Sequence, residues 1–261
     1  MVRTILSALL LLIPAAAQDK DAALTVDQIV DKHTAAIGGV DKLRAIQSET
    51  ITGKAVLMGG QLEAPIVMKV KRPGSMRMDM SVQDKSYTQA FDGATAWTVN
   101  PFMGSPDPQK SNDEDTAVAR DDADVIEGSL VDYKAKGNAV ELMGKEDVEG
   151  TPAYKIKVTK KSGNVEYVFL DAQTFLEIRS SGKRKQMGQE MEFESTPSNY
   201  KAVNGVMMPY SLSQKVNGNP MMQLTIEKIE VNTPIDDAIF QMPEKPKEDK
   251  PKNDKKDSAK P

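Results

Sequence analysis

The sequence predicts a mainly β (α+β) fold: an antiparallel sheet of about 11–12 strands, curled into a large, incomplete barrel that helices plug and cover. Three observations carry this. From Glu49 onward, apolar and polar residues alternate with period two in run after run. Short turn pairs separate the runs, so neighbours in sequence read as antiparallel neighbours in space. Helical spacing replaces the alternation at the N-terminal end and again in mid-chain.

Thr25 and Gln28 have capping-box spacing, and Ile29, Val30, His33, Ala36 and Ile37 then share one helical face until Gly38-Gly39 ends it. A second short helical piece sets Val40, Leu43 and Ile46 on one side. Strands follow at 49–57, 62–71, 75–82, 86–91 and 95–100, divided by Gly59-Gly60, Pro73-Gly74, Gln83-Asp84-Lys85 and Asp92-Gly93. In the third of these, Met76, Met78, Met80 and Val82 share one face, and Ser75, Arg77, Asp79 and Ser81 share the other. Pro101 to Asn112 is polar and has no strand period, while Asp113 to Ile126 has the spacing of one helix with a sparse apolar set. This insertion is the expected lid. A second meander reads at 139–145, 153–160, 164–171, 175–183, 189–199, 206–216 and 221–231, with turns such as Asn204-Gly205 and Asn217-Gly218. A barrel this wide is not filled by its own side chains, so an internal cavity is expected.

The two ends differ from the body. Arg3, the apolar run Ile5–Ile13, Pro14 and Ala15-Ala16-Ala17 have the layout of a secretory signal peptide over residues 1–17, which implies an exported, periplasmic protein. Residues 244–261 hold seven lysines, five acids, three prolines and no large apolar side chain, a composition expected to stay disordered. Between them, residues 18–243 read as one domain. Setting aside Arg3 and the tail's charges leaves 26 basic and 33 acidic residues there, a balance of about −7. A body so acidic is a poor partner for nucleic acid. The absence of cysteine excludes disulfides, thiolate metal sites and cysteine nucleophiles.

Little in the chain carries catalysis. His33 is the lone histidine and is expected to pack or lie on the surface. No serine has a Gly-x-Ser-x-Gly context, and no glycine loop has the pattern that cradles phosphate. Acidic runs such as Asp113-Glu114-Asp115 lack calcium-loop spacing, although a carboxylate pair for glycoside hydrolysis is a matter of spatial geometry. The unusual feature is fifteen methionines against thirteen Phe, Tyr and Trp. Met76, Met78 and Met80 read as adaptable lining of an apolar interior, with soft copper(I) ligation as the sharper alternative.

Lys71-Arg72-Pro73, the Arg77 strand after it, Asp92-Gly93-x-x-x-Trp97, Asn100-Pro101-Phe102 and, more weakly, Asp236-Asp237-Ala-Ile-Phe240 resemble the LolA/LolB-like superfamily of outer-membrane lipoprotein-sorting carriers. The resemblance implies a half-open antiparallel barrel whose helices lid an apolar cavity for acyl chains. It implies that Arg72 holds the lid closed, and that Trp97 lies in or near the cavity. With Met76, Met78, Met80 and Phe102 these make the expected ligand site, with no catalytic residue, metal or cofactor. The expected function is a monomeric, non-enzymatic carrier for lipids or lipoproteins that meets a membrane-bound partner for loading or unloading. Its rivals are an envelope-stress sensor on the same scaffold and a hydrolase, the latter marked by acids converging in one pocket.

Overall fold

The computed structural model describes residues 24–244, apart from 104 and 187. The expected signal peptide and all of the expected tail beyond Glu244 lie outside the described residues. The chain enters helix α1 (Val26–Ala36) through a complete capping box: Gln28 N donates to Thr25 Oγ1, and Thr25 N donates to Gln28 Oε1. A short helix α2 (Val40–Ala45) follows. The first meander is β1 (Ser48–Leu57), β2 (Leu62–Lys71), β3 (Ser75–Val82), β4 (Lys85–Phe91), β5 (Ala96–Asn100) and β6 (Ser105–Lys110). Helices α3 (Asp113–Asp122) and α4 (Tyr133–Lys136) come next. The second meander runs through β7 (Ala139–Val148), β8 (Thr151–Thr159), β9 (Val165–Asp171), β10 (Glu177–Gln186) and β11 (Gln189–Ser198). It ends with β12 (Lys201–Val203), β13 (Val206–Met208), β14 (Ser211–Val216) and β15 (Asn219–Val231).

Pairing of β1 with β15 joins the two meanders into one 13-stranded antiparallel sheet, while β12 and β13 form a separate small hairpin. The sheet is not closed. Its free edges are β6 and β7, which are consecutive strands in the chain. The connection between them, residues 111–138, therefore has to cross the gap, and it carries α3 and α4 with it. On the way α3 touches β4 and β5 on one side and β10 on the other. Topology makes this segment a roof over the concave face. Among the described residues no helix is long and apolar enough to cross a membrane.

Three helical plugs fill most of that face. Ile29 and Val30 of α1 pack with Leu130 on Ile156, Val158, Val168 and Leu170. Leu43 of α2 and the following Ile46 pack on Ile51, Ile66, Leu224, Ile226 and Ile229. Ala119 of α3 and Ala123 pack on Val70, Met76 and Phe91. Each fully buried Ile, Leu or Val contributes about 1.5–3 kcal/mol, so docking the helices is a large part of the stability of the fold. His33 is buried on α1 with Nδ1 2.8 Å from Phe175 O, and burial pushes its pKa down, so the ring is a neutral packing element.

Three sequence expectations change. Strand β6 forms in a polar stretch expected to be irregular; an edge strand needs only one partner, and its Pro106 and Pro108 are tolerated there. The run expected at 206–216 breaks at Pro209-Tyr210, where Tyr210 N turns to Ser198 O and Asn199 O instead of continuing a ladder. Helix α3 stops at Asp122, four residues short of Ile126, because Asp124 and Glu127 leave the helix to meet Lys136.

The β1–β15 register slips between Thr52 and Gly53, an irregularity of the bulge type. A Cβ at Gly53 would lie 2.2 Å from Thr225 O and 3.0 Å from the Ile226 Cα, so only glycine fits this approach. Gly53→Ala is expected to cost about 1–3 kcal/mol of unfolding free energy in urea titration, the usual range for overpacking.

Candidate functional site

Between the plugs the concave side keeps an unfilled space of about 840 Å³ under the 120–129 segment. That volume lies within the range of pockets that take small organic ligands. Val70, Phe91 and Val168 wall it from the sheet, and Ala123 and Ile126 roof it. The rest of the lining is mostly polar or charged, including Arg72, Lys136, Glu127, Glu166 and Glu177. The wide cavity lined by methionine and aliphatic residues that the sequence led us to expect is thus corrected. Helices α1 and α2 spend their apolar faces on the same concave surface, which leaves a smaller space with a greasy wall and a charged one.

The roof is tied down on both sides. On the β2 side, Arg72 Nε donates to Ile46 O at 2.8 Å, and Nη2 donates to Leu43 O at 3.1 Å and to Glu127 Oε1 at 2.7 Å. One guanidinium thereby joins the sheet, the α2 end and the roof. Lys136 completes this knot, with Nζ 2.7 Å from Asp124, 3.1 Å from Glu127 and donating to Gly128 O. Burial alone raises the Glu127 pKa, but hydrogen bonds and charge from Arg72 and Lys136 outweigh it and hold the carboxyl below its ordinary value. On the far side, Arg184 of β10 meets Asp122 at 2.7 Å, and Asn164 and Ser162 donate to Asp121 at 2.8 Å.

Acids do converge here, the mark set for a hydrolase: Asp121, Asp124, Glu127, Glu166 and Glu177 all line the space. Four of them are engaged. Asp121, Asp124 and Glu127 fasten the roof, and Glu166 is held by Lys160 at 3.0 Å and by the Ser129 hydroxyl. Glu177 is the exception, with no ion pair among the described residues; crowding by the surrounding protein pushes it up to about 7.

Glu49 lies just outside the space, 3% exposed beside Arg72. Burial raises its pKa to about 7, and the Arg72 charge offsets part of that rise. Because the folded value exceeds the ordinary 4.5, stability from this group is present below pH 4.5 and lost as pH rises through 7. Glu49→Gln is expected to be more stable than wild type by about 3 kcal/mol at pH 8, at 1.36 kcal/mol per pKa unit. The two should converge below pH 4.5, as urea titrations across pH would show.

The other expected site residues are dispersed. Arg72 lines the space and binds the roof. Met76 is buried beneath Ala119 and Ala123, whereas Met78 and Met80 are half-buried farther along the same face; none is among the residues that wall the space. Trp97 is a correction. The register Arg77↔Ala90↔Trp97 puts it on the convex face, opposite the Met76↔Phe91↔Ala96 row. There it is 1% exposed under the 3-10 turn Asp237–Phe240, with Nε1 donating to Phe240 O at 2.7 Å. Arg77 braces the same turn, donating to Ile239 O at 2.8 Å and paired with Asp79. Phe102 is a second correction: it is 49% exposed beside Lys85, away from the space, because its 3-10 turn lies at the sheet edge. Sequence reasoning missed Glu127, Lys136 and Glu177. Only the acidity around 121–127 hinted at the first.

No family model and no curated protein matches this chain. Solved structures do. A LolA superfamily protein from Nitrosomonas europaea is 13% identical with a TM-score of 0.54, covering 84% of this chain and 98% of its own. An outer membrane lipoprotein-sorting protein domain from Vibrio parahaemolyticus, described as putative, is 11% identical with a TM-score of 0.54, covering 81% and 94%. A DUF1329 family protein from Desulfovibrio piger is 14% identical with a TM-score of 0.50, covering 83% and 97%. Identities this low speak for architecture alone. With its unclosed antiparallel sheet and helices across the concave side, the chain has a LolA-like fold, the half-open barrel.

Proposed function

We propose that the protein is a periplasmic carrier that shields acyl chains of lipids or lipoproteins during envelope sorting, without catalysing a reaction. The single observation that carries this reading is the roofed space of about 840 Å³ with an apolar wall of Val70, Phe91, Ala123, Ile126 and Val168. Exposing an acyl chain to water costs about 0.8 kcal/mol per CH₂, so a soluble carrier gains most by hiding methylenes behind such a wall. The roof supports the same reading, since ion pairs and hydrogen bonds hold it and can be exchanged for water when it opens. The signal-peptide layout of residues 1–17 supports export.

Titration with a fluorescent fatty acid tests the proposal. Saturable uptake near one probe per chain, displaced by unlabelled phospholipid or lipopeptide, is the expected result. A protein that is folded yet takes up no probe would overturn it.

A further inference from the structure

We infer that the cavity selects amphiphiles with a protonated amine head, which Glu177 receives at the charged wall while the chain lies along Val168 and Ile126. The inference rests on the carrier reading and names its ligand class. Glu177 lies half-buried on β10 and lines the cavity. Protein crowds it on the other sides. Its side chain has the Ser180 hydroxyl as a neighbour but no ion pair among the described residues. A buried carboxylate without a cation is costly, and a ligand that supplies the cation removes that cost.

The surrounding charges favour this choice over an acidic head. Lys160 is committed to Glu166 at 3.0 Å, Lys136 to Asp124 at 2.7 Å, and Arg72 to Glu127 at 2.7 Å. Three further bases line the space: Lys71 is committed to Asp237 at 2.6 Å, and Arg120 and Lys161 are exposed, with Arg120 already over the Phe91 ring. A carboxylate head at the inner wall would face Glu166 and Glu177 together, a repulsive arrangement. An ammonium head would meet both as donor to acceptor, and charge-assisted bonds of this kind are the strong ones.

The test is displacement of a neutral fluorescent acyl probe from the full-length protein at pH 7.5 by hexadecylamine, hexadecanol and hexadecanoic acid, all held monomeric. The amine is expected to bind about tenfold or more tightly than the acid, with the alcohol between, the scale of one charge-assisted hydrogen bond. In Glu177→Gln, with folding checked by thermal melting, that ratio should fall to about threefold or less. An acid that binds as tightly as the amine overturns the inference and leaves the carrier reading intact. So does a ratio that Glu177→Gln leaves unchanged. Displacement by none of the three overturns the carrier reading and the inference with it. Should the variant not fold, the wild-type ratio decides: tenfold or more sustains the inference, and anything less overturns it.

Discussion

Arg72→Ala is expected to destabilise the protein by about 3–5 kcal/mol and to leave its roof loose even where the fold survives. The magnitude is that of removing one partner from a buried ion pair, which strands the other charge. Here Glu127, with 8% of its side chain exposed, would keep only Lys136, and the Ile46 and Leu43 carbonyls would lose their side-chain donor. The Arg72 side chain itself is 28% exposed, so the lower half of that range is the better estimate. Arg72→Lys should recover part of the loss, because an ammonium restores charge but not the fork that reaches three oxygens at once. The functional readout is separate from stability. At a temperature where Arg72→Ala is still folded, both uptake and release of a fluorescent acyl probe should be faster than in wild type. Unchanged rates would mean that Arg72 stiffens the β2 end without gating the space.

Trp97→Ala carries a comparable expected loss, about 3–5 kcal/mol, the usual cost of emptying a large aromatic site in a core. The ring is buried between the convex face and the turn that Phe240 anchors, with the Arg77 guanidinium 5.7 Å from its centre. Trp97→Phe should cost less, about 1–3 kcal/mol, chiefly from leaving the Phe240 carbonyl without its donor. Since Trp97 is the sole tryptophan, its emission also reports its position. A brominated acyl chain, which quenches only on contact, should bind while leaving that emission nearly unchanged. Strong quenching would place the ligand on the convex side and contradict the assignment of the concave space.

The architecture was readable in the sequence wherever the physics is local. Thr25 and Gln28 announce their helix because both bonds of the capping box lie within three residues. Asn217-Gly218 announces its hairpin because both residues take left-handed backbone angles, at φ 50° and 75°. Alternation also placed Met76 and Arg77 on opposite faces of one strand. It failed for Trp97, because Ala96 and Trp97 are both buried, one under α3 and one under the C-terminal turn. A strand covered on both sides gives no polar face to count from. The site was less legible still. Arg72 and Glu127 are 55 residues apart, and Arg184 and Asp122 are 62 apart. Neither pairing has a local signature. Nor does composition reveal that α1 and α2 consume the aliphatic face and leave a partly ionic cavity, since that depends on where the plugs dock.

The most direct test is photo-crosslinking with a fatty acid that carries a diazirine near the end of its chain, followed by mapping of the modified peptides. Adducts should concentrate on the walls and roof of the space, at Val70, Phe91, Val168, Ala123 and Ile126, and an unlabelled chain should suppress them. Adducts confined to the convex face around Phe169 and Trp97, or labelling that no competitor suppresses, would show that the roofed space does not hold the chain.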